Sequence, residues 1–268
     1  MRLLAGLALA LGLSPAEARG PEALTDRSDI LGWEAVGRLQ IGERGACSGA
    51  LIAPLRVLTA AHCVFDPETG DRLDPTEIVF HAGYRDGETI ASAFVARAAV
   101  LPEFKPDDED IVRYLTSDIA LLELAEPIPA TTASPYRVSA APGQGAQVTA
   151  ISYGHGRENT ASREAGCRIV AKGSGVLVFD CTGIAGSSGG PIFDTSGRSP
   201  RIISLISGGG PYQGQQAVFG AELPGAIARL ERAFRTGEGV WPDKALPEAR
   251  RIGGAEARNA GSARFVRP

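Results

Sequence analysis

From Trp33 onward the chain runs as short apolar segments, each ended within a few residues by Gly, Pro or Asp. They include AVGRLQI, CSGALIAPLRVLTA, EIVFHAG, FVARAAVL, IALLELA, AQVTAISYG, VLVFDC, RIISLISGG and AVFGAEL. Segments this short and this rich in β-branched residues are strands, and their regular spacing is that of a β-barrel or sandwich. The 34 glycines and 18 prolines imply many turns and favour short strands and loops over a helical bundle. The expected fold class is therefore all-β. At 268 residues, with 44% hydrophobic and 22% charged side chains, the chain can bury one large core or two small ones. One stretch breaks the pattern. PGAIARLERAF, Pro224 to Phe234, places Ile227, Leu230 and Phe234 on one face and Arg229, Glu231 and Arg232 outward, which predicts an amphipathic helix near the C-terminus. CRIVAKGSGVLVFDC reads as a hairpin turning at Lys172–Gly175.

The first residues set the compartment. Arg2 is followed by an apolar run from Leu3 to Leu13 and then by Ala16-Glu17-Ala18. The run is too short to span a bilayer as a helix, but it fits the hydrophobic region of a signal peptide, residues 1–18, cleaved after Ala18. The expected product is secreted or periplasmic, with no membrane attachment once the leader is removed. A net charge of −4 argues against nucleic acid as a partner, because phosphate binding needs a basic surface. Residues 19–32 are polar and irregular, a candidate propeptide. Residues 236–268 are rich in Gly, Ala, Arg and Pro without apolar periodicity and read as a disordered tail.

Export makes the four cysteines legible. Cys47, Cys63, Cys167 and Cys181 can pair in three ways. Their grouping into two local couples favours Cys47–Cys63 and Cys167–Cys181. Each bridge would close a loop of about 15 residues and contribute about 3 kcal/mol. A zinc site using His62 is the rival reading, but there is no Cys-x-x-Cys pair and an oxidising compartment favours disulfides. No metal and no organic cofactor are expected.

Three stretches carry chemistry. In VLTAAHCV, His62 stands beside a cysteine that can fix its backbone. In SDIALLEL, Asp118 heads an apolar strand, where a carboxylate is costly without a partner. In GIAGSSGGPIF, small residues around Ser188 let backbone N–H groups converge on one point. Singly, each has a bland explanation: a structural histidine, a strand-end cap, a flexible turn. Together they fit a nucleophilic triad, in which Ser188 attacks a carbonyl, His62 shuttles the proton and Asp118 holds the imidazole. Gly186 and Ser188 would supply the N–H groups of an oxyanion hole, worth about 3 kcal/mol per donor.

In the order His–Asp–Ser, with TAAHC and GxSGGP intact, these stretches resemble the chymotrypsin-type (trypsin-like) serine proteases. The second cysteine couple and DCTGIAGSSGGP look more like the bacterial branch that includes glutamyl endopeptidases. The resemblance spans residues 33–235 and implies two orthogonal six-stranded β-barrels, chymotrypsin-like, with a C-terminal helix and the site between the barrels. It implies a monomeric serine endopeptidase acting on protein or peptide substrates. It also implies substrate-binding roles for Thr182, at the base of the specificity pocket, and for Ser207 and Gly209, along the substrate backbone. Ser207 would also hydrogen-bond Asp118. The family's usual Trp after that serine is here replaced by Gly208, Gly209 and Gly210, which suggests an open, flexible edge.

Specificity is less marked. Thr182 stands where trypsin-like enzymes have aspartate, so a strict Arg or Lys preference is not expected. The histidine used by glutamyl endopeptidases near the Ser207 segment is missing, and His81 and His155 read as surface residues. Asp180 reads as structural. The acidic run DDEDI, Asp107 to Ile111, suits a solvated loop better than a calcium site. A catalytically inactive binding protein on the same fold is the alternative, and a PDZ-bearing quality-control protease is a third; too few residues follow Phe234 for a PDZ module. The main departure from the family lies at Ser187. Where the family has aspartate before the nucleophile, that carboxylate pairs with a newly cleaved N-terminus and assembles the oxyanion hole. Ser187 cannot form that ion pair, so local hydrogen bonds and the Cys167–Cys181 hairpin are expected to order the loop.

Overall fold

The computed structural model describes residues 20–42, 45–183 and 186–242. The expected leader and the tail beyond residue 242 lie outside them. After Glu22–Ala23 (β1), six strands follow: Val36–Ile41 (β2), Gly45–Ala53 (β3), Arg56–Thr59 (β4), Ile78–Ala82 (β5), Ala91–Val100 (β6) and Ala120–Leu124 (β7). Each pairs antiparallel with its neighbours in the order β6-β5-β2-β3-β4-β7, and β6 pairs with β7 to close the ring. Closure needs the strands to coil, and the ladder slips at Leu51/Ala53 and at Val95/Arg97, where irregularities of this kind bend a strand. The interior is filled by residues such as Leu39, Leu51, Leu58, Ile78, Phe80 and Leu121, all nearly inaccessible.

The second sheet contains Arg137–Val138 (β8), Gln147–Gly154 (β9), Arg157–Gly173 (β10), Val176–Phe179 (β11), Pro191–Asp194 (β12), Arg201–Leu205 (β13), Gly208–Tyr212 (β14) and Gln215–Ala221 (β15). Their order is β14-β15-β11-β10-β9-β12-β13-β8, with β1 added to β10. The sheet rolls until β13 approaches β15: Ser204 Oγ donates to the Ala221 carbonyl at 2.9 Å, and just past β13 the Ser207 N–H donates to that of Phe219 at 2.9 Å. Its core is separate and includes Val148, Ile169, Leu177, Phe179, Ile192 and Val218. The molecule is thus the chymotrypsin-like fold expected, with one closed six-stranded barrel and one rolled nine-stranded sheet.

The predicted hairpin joins β10 to β11 through Ser174 and Gly175, both at positive φ (50° and 79°), with Gly173 paired to Val176. That is a two-residue turn whose twist matches the strands. The predicted C-terminal helix, α2, runs Pro224–Thr236, begins on proline and ends at Gly237 in the left-handed region. It buries Leu230 and Phe234 against the first barrel, where Arg56 lies 4.2 Å over the Phe234 ring. Arg56 and Arg97 both pair with Glu123 beneath it, at 2.7 and 2.6 Å.

One expectation gains detail and another needs correction. The acidic run DDEDI leads into a helix, α1 (Ile111–Ser117): Asp110 caps it by accepting from the N–H groups of Val112 and Arg113, and Asp108 binds the Arg113 guanidinium. Asp107 to Asp110 themselves lie outside any helix or strand and are mostly exposed, in keeping with a solvated loop. The tail, however, starts later than residue 236. Val240–Trp241 (β16) pairs with Ala98 and Ala99 of β6, and the Trp241 indole N–H donates to the Leu73 carbonyl at 2.9 Å.

Candidate active site

The chain leaves β4 through Ala60 and enters a short 3-10 turn, Ala61–Val64, that carries His62. Ala60, Ala61 and Val64 are fully buried, which fixes the turn from beneath. The Cys47–Cys63 disulfide ties it to β3, and Thr59 Oγ1 donates to the Ser48 carbonyl at 2.8 Å. Only the imidazole is left partly open to solvent.

Asp118 follows the last residue of α1, and its own N–H closes the helix on the Tyr114 carbonyl. It is completely buried. A carboxylate there is tolerable only if its lone pairs are satisfied, and three donors meet it. The His62 N–H donates to Oδ1 at 2.8 Å, His62 Nδ1 lies 2.8 Å from Oδ2, and Ser207 Oγ donates to Oδ2. Burial pushes the His62 pKa down, but the hydrogen bond and charge of Asp118 outweigh it, and the net shift is upward. Tyr114 is raised to about 12, by burial first and then by the Asp118 charge. With Nδ1 committed to Asp118, Nε2 is the ring nitrogen left to exchange a proton.

Ser188 comes from the second sheet and is partly buried. Its carbonyl accepts the Ser48 N–H at 2.8 Å, so β3, whose Cys47 holds the His62 turn, also holds the serine. Gly189 N–H donates to the Ile206 carbonyl at 2.8 Å and Gly190 N–H to that of Ser187 at 2.9 Å. The glycine at 189 is obligatory. Its φ is +76°, and a Cβ there would lie 2.2 Å from both the Ser48 carbonyl oxygen and Thr59 Oγ1. This packing brings the GSSGG backbone against the strand end that leads to His62. Gly186 also has positive φ, +84°.

The expected substrate-binding residues gather nearby. Gly208–Gly210 lie in β14, regularly paired to Phe219, Val218 and Ala217 of β15, and β14 is the last strand of its sheet. The edge is open, as expected, but it is a paired strand and not a flexible run. A Cβ on Gly209 would come within 3.8 Å of the Gly183 carbonyl oxygen, so the two segments face each other closely. Thr182 is exposed, but its N–H is not idle: it donates to both carboxylate oxygens of Glu164, at 2.8 and 2.9 Å. Asp180 accepts from the Arg168 N–H, in keeping with a structural role. His155 is exposed beside Glu158, whereas His81 is half-buried against Ser92. Burial and the nearby Arg38 charge lower the His81 pKa.

Glu164 is the residue that sequence reasoning missed. It is almost wholly buried in β10. The two clusters of metal-type side chains among the described residues, Cys47-His62-Cys63 and Glu164-Cys167-Cys181, each have both sulfurs in a disulfide, so neither offers a thiolate.

A family model described as trypsin-like peptidase domain matches residues 47–199, a span that holds His62, Asp118 and Ser188. No curated protein matches the chain. Among solved structures, the chain is similar to a Glu endopeptidase in complex with MPD, with 16% sequence identity and a TM-score of 0.64. The match covers 81% of this chain and 96% of the other.

Proposed function

The chain belongs to the trypsin-like peptidase family, and from that premise we propose that it is a serine endopeptidase that cleaves peptide bonds through an acyl-enzyme. The observation that carries this reading is the Asp118 carboxylate, buried and shared by the His62 N–H, His62 Nδ1 and Ser207 Oγ. Ser188 Oγ attacks the scissile carbonyl while His62 Nε2 accepts its proton. Asp118 keeps the remaining proton on Nδ1 and stabilises the imidazolium. The N–H groups of Gly186 and Ser188 receive the negative charge that develops on the carbonyl oxygen. His62 then returns the proton to the leaving amine, and water, activated by the same imidazole, releases the acyl group. No step requires a metal or organic cofactor.

In this reading the open edge of β14, with Ser207 at its head, receives the substrate backbone by strand addition. Thr182 and Gly209 bound the pocket for the residue before the scissile bond, and the carboxylate beside Thr182, that of Glu164, is buried and engaged by the Thr182 N–H. The protein acts outside the cytoplasm as a monomer, after loss of residues 1–18, with a peptidase domain that runs on to β16 at Val240–Trp241. A fluorophosphonate probe and a mixed peptide library test the proposal. The wild type should label and cleave, and Ser188→Ala should do neither. A wild type that neither labels nor cleaves would leave a binding protein on a peptidase fold.

A further inference from the structure

We propose that Glu164 is a positioning residue that orders the oxyanion loop, the task left open by the serine at 187; this rests on the endopeptidase reading above. Four observations converge on it. Glu164 is 4% exposed, yet its two oxygens go to one backbone group, the N–H of Thr182, at 2.8 and 2.9 Å. Thr182 begins the segment that ends at Ser188, and the preceding residue, Cys181, is bonded to Cys167 on the same strand as Glu164. The start of the loop is therefore held by one strand at two consecutive residues, once covalently and once by charge-assisted hydrogen bonds, which are about twice as strong as neutral ones. The far end is held independently, by Ser48 N–H on the Ser188 carbonyl and by Gly189 N–H on the Ile206 carbonyl.

The surroundings separate this role from that of a simple core ion pair. Pro21, Arg157, Ser162, Glu164, Thr182 and Ser187 line a small cavity behind the loop. Ser162 Oγ and Arg157 Nη1 are buried there without a hydrogen-bond partner. A carboxylate kept only to neutralise a buried guanidinium would be spent on it. Here the hydrogen bonds go to the loop backbone instead, and Arg157 interacts with Glu164 through charge alone. Ser187, also buried in this wall, has no charge with which to do the same work.

The test compares the mature wild type with Glu164→Gln and Glu164→Ala, using peptide turnover, a peptide boronate that adds to Ser188, and the cleaved product peptide. Glutamine keeps the shape but loses the charge and one of the two acceptors. Glu164→Gln should lower kcat by about tenfold or more, a larger loss than any rise in KM passed on through Thr182, because an oxyanion pocket acts on the transition state. Boronate affinity should fall in step with kcat, and product affinity should fall by no more than KM rises. If Glu164→Ala does not fold, Glu164→Gln with the boronate series still decides. A folded Glu164→Gln with wild-type kcat and boronate affinity would overturn the proposal, as would a loss of kcat explained by the folded fraction alone. A wild type that neither labels with fluorophosphonate nor cleaves would overturn the endopeptidase reading and this proposal with it.

Discussion

Asp118 shows how much a single buried charge can specify. Removing a carboxylate from water costs several kcal/mol unless hydrogen bonds replace the lost solvation, and its three donors come from two different parts of the chain. The arrangement has a direct consequence for pH. In the proposed mechanism neutral His62 is the base, and its pKa lies above the ordinary histidine value of 6.5 because Asp118 outweighs burial. Activity should therefore rise with pH, with the acid limb of kcat/KM centred above 6.5. Asp118→Asn removes both influences that raise the pKa and leaves burial, which lowers it. That variant should shift the limb below its wild-type position and reduce kcat by about 10⁴-fold. Peptide-cleavage profiles of the two proteins check both statements, and an unshifted limb would mean that another group titrates.

Strands and turns differ in how plainly they are written. The Ser174–Gly175 turn was legible because a tight hairpin needs positive φ at both central residues and the sequence offers small ones. Glu164 was not, because alternation along β10 misleads there. Counting back by twos from buried Cys167 points Glu164 outward. The ladder, however, slips between Ala165 and Cys167, where Gly166 has φ +85° and the extra residue turns Glu164 inward. The end of the domain was hidden for a related reason: two residues, Val240 and Trp241, are too few to show a period. Their weight is testable. Trp241→Ala loses the hydrogen bond to Leu73 and the stacking of Arg72 at 4.6 Å. The half-buried ring predicts a loss of about 2 kcal/mol, with the thermal midpoint falling by about 4–8 °C and kcat unchanged. A shift of less than a degree would show that β16 does not contribute.

The whole molecule joins two sheets whose meeting line holds the candidate site. Tyr153 N–H donates to Ser48 Oγ and its hydroxyl donates to the Tyr84 carbonyl, tying β9 to the first barrel on the side where Ser188 also binds Ser48. Trp33 and Tyr136 both pack their rings at a steep angle against Phe193 across the same boundary. If Glu164 orders the loop before Ser188, as proposed above, the terminal ammonium is not needed to assemble it. The N-terminal segment matters in another way: β1 pairs with β10 and Leu24 is buried. Acetylating the α-amino group of the mature chain should leave kcat within about twofold. Deleting residues through Leu24 should cost about 2 kcal/mol of stability by exposing apolar surface. Loss of activity on acetylation, with folding intact, would show that an ion pair to the terminus does order the loop.

The sequence by itself determined the all-β class, the two local cysteine couples, the amphipathic α2 and the residue types at 62, 118 and 188, because each depends on period, spacing or local turn chemistry. Only the tertiary structure decided which carboxylate sits behind the oxyanion loop, where the last strand ends, and why residue 189 must be glycine. Those depend on a slipped register and on contacts between residues far apart in the chain, and no local pattern records either. The serine at 187, read alone, is a missing carboxylate; in the fold, a carboxylate is present, supplied from the neighbouring strand by Glu164.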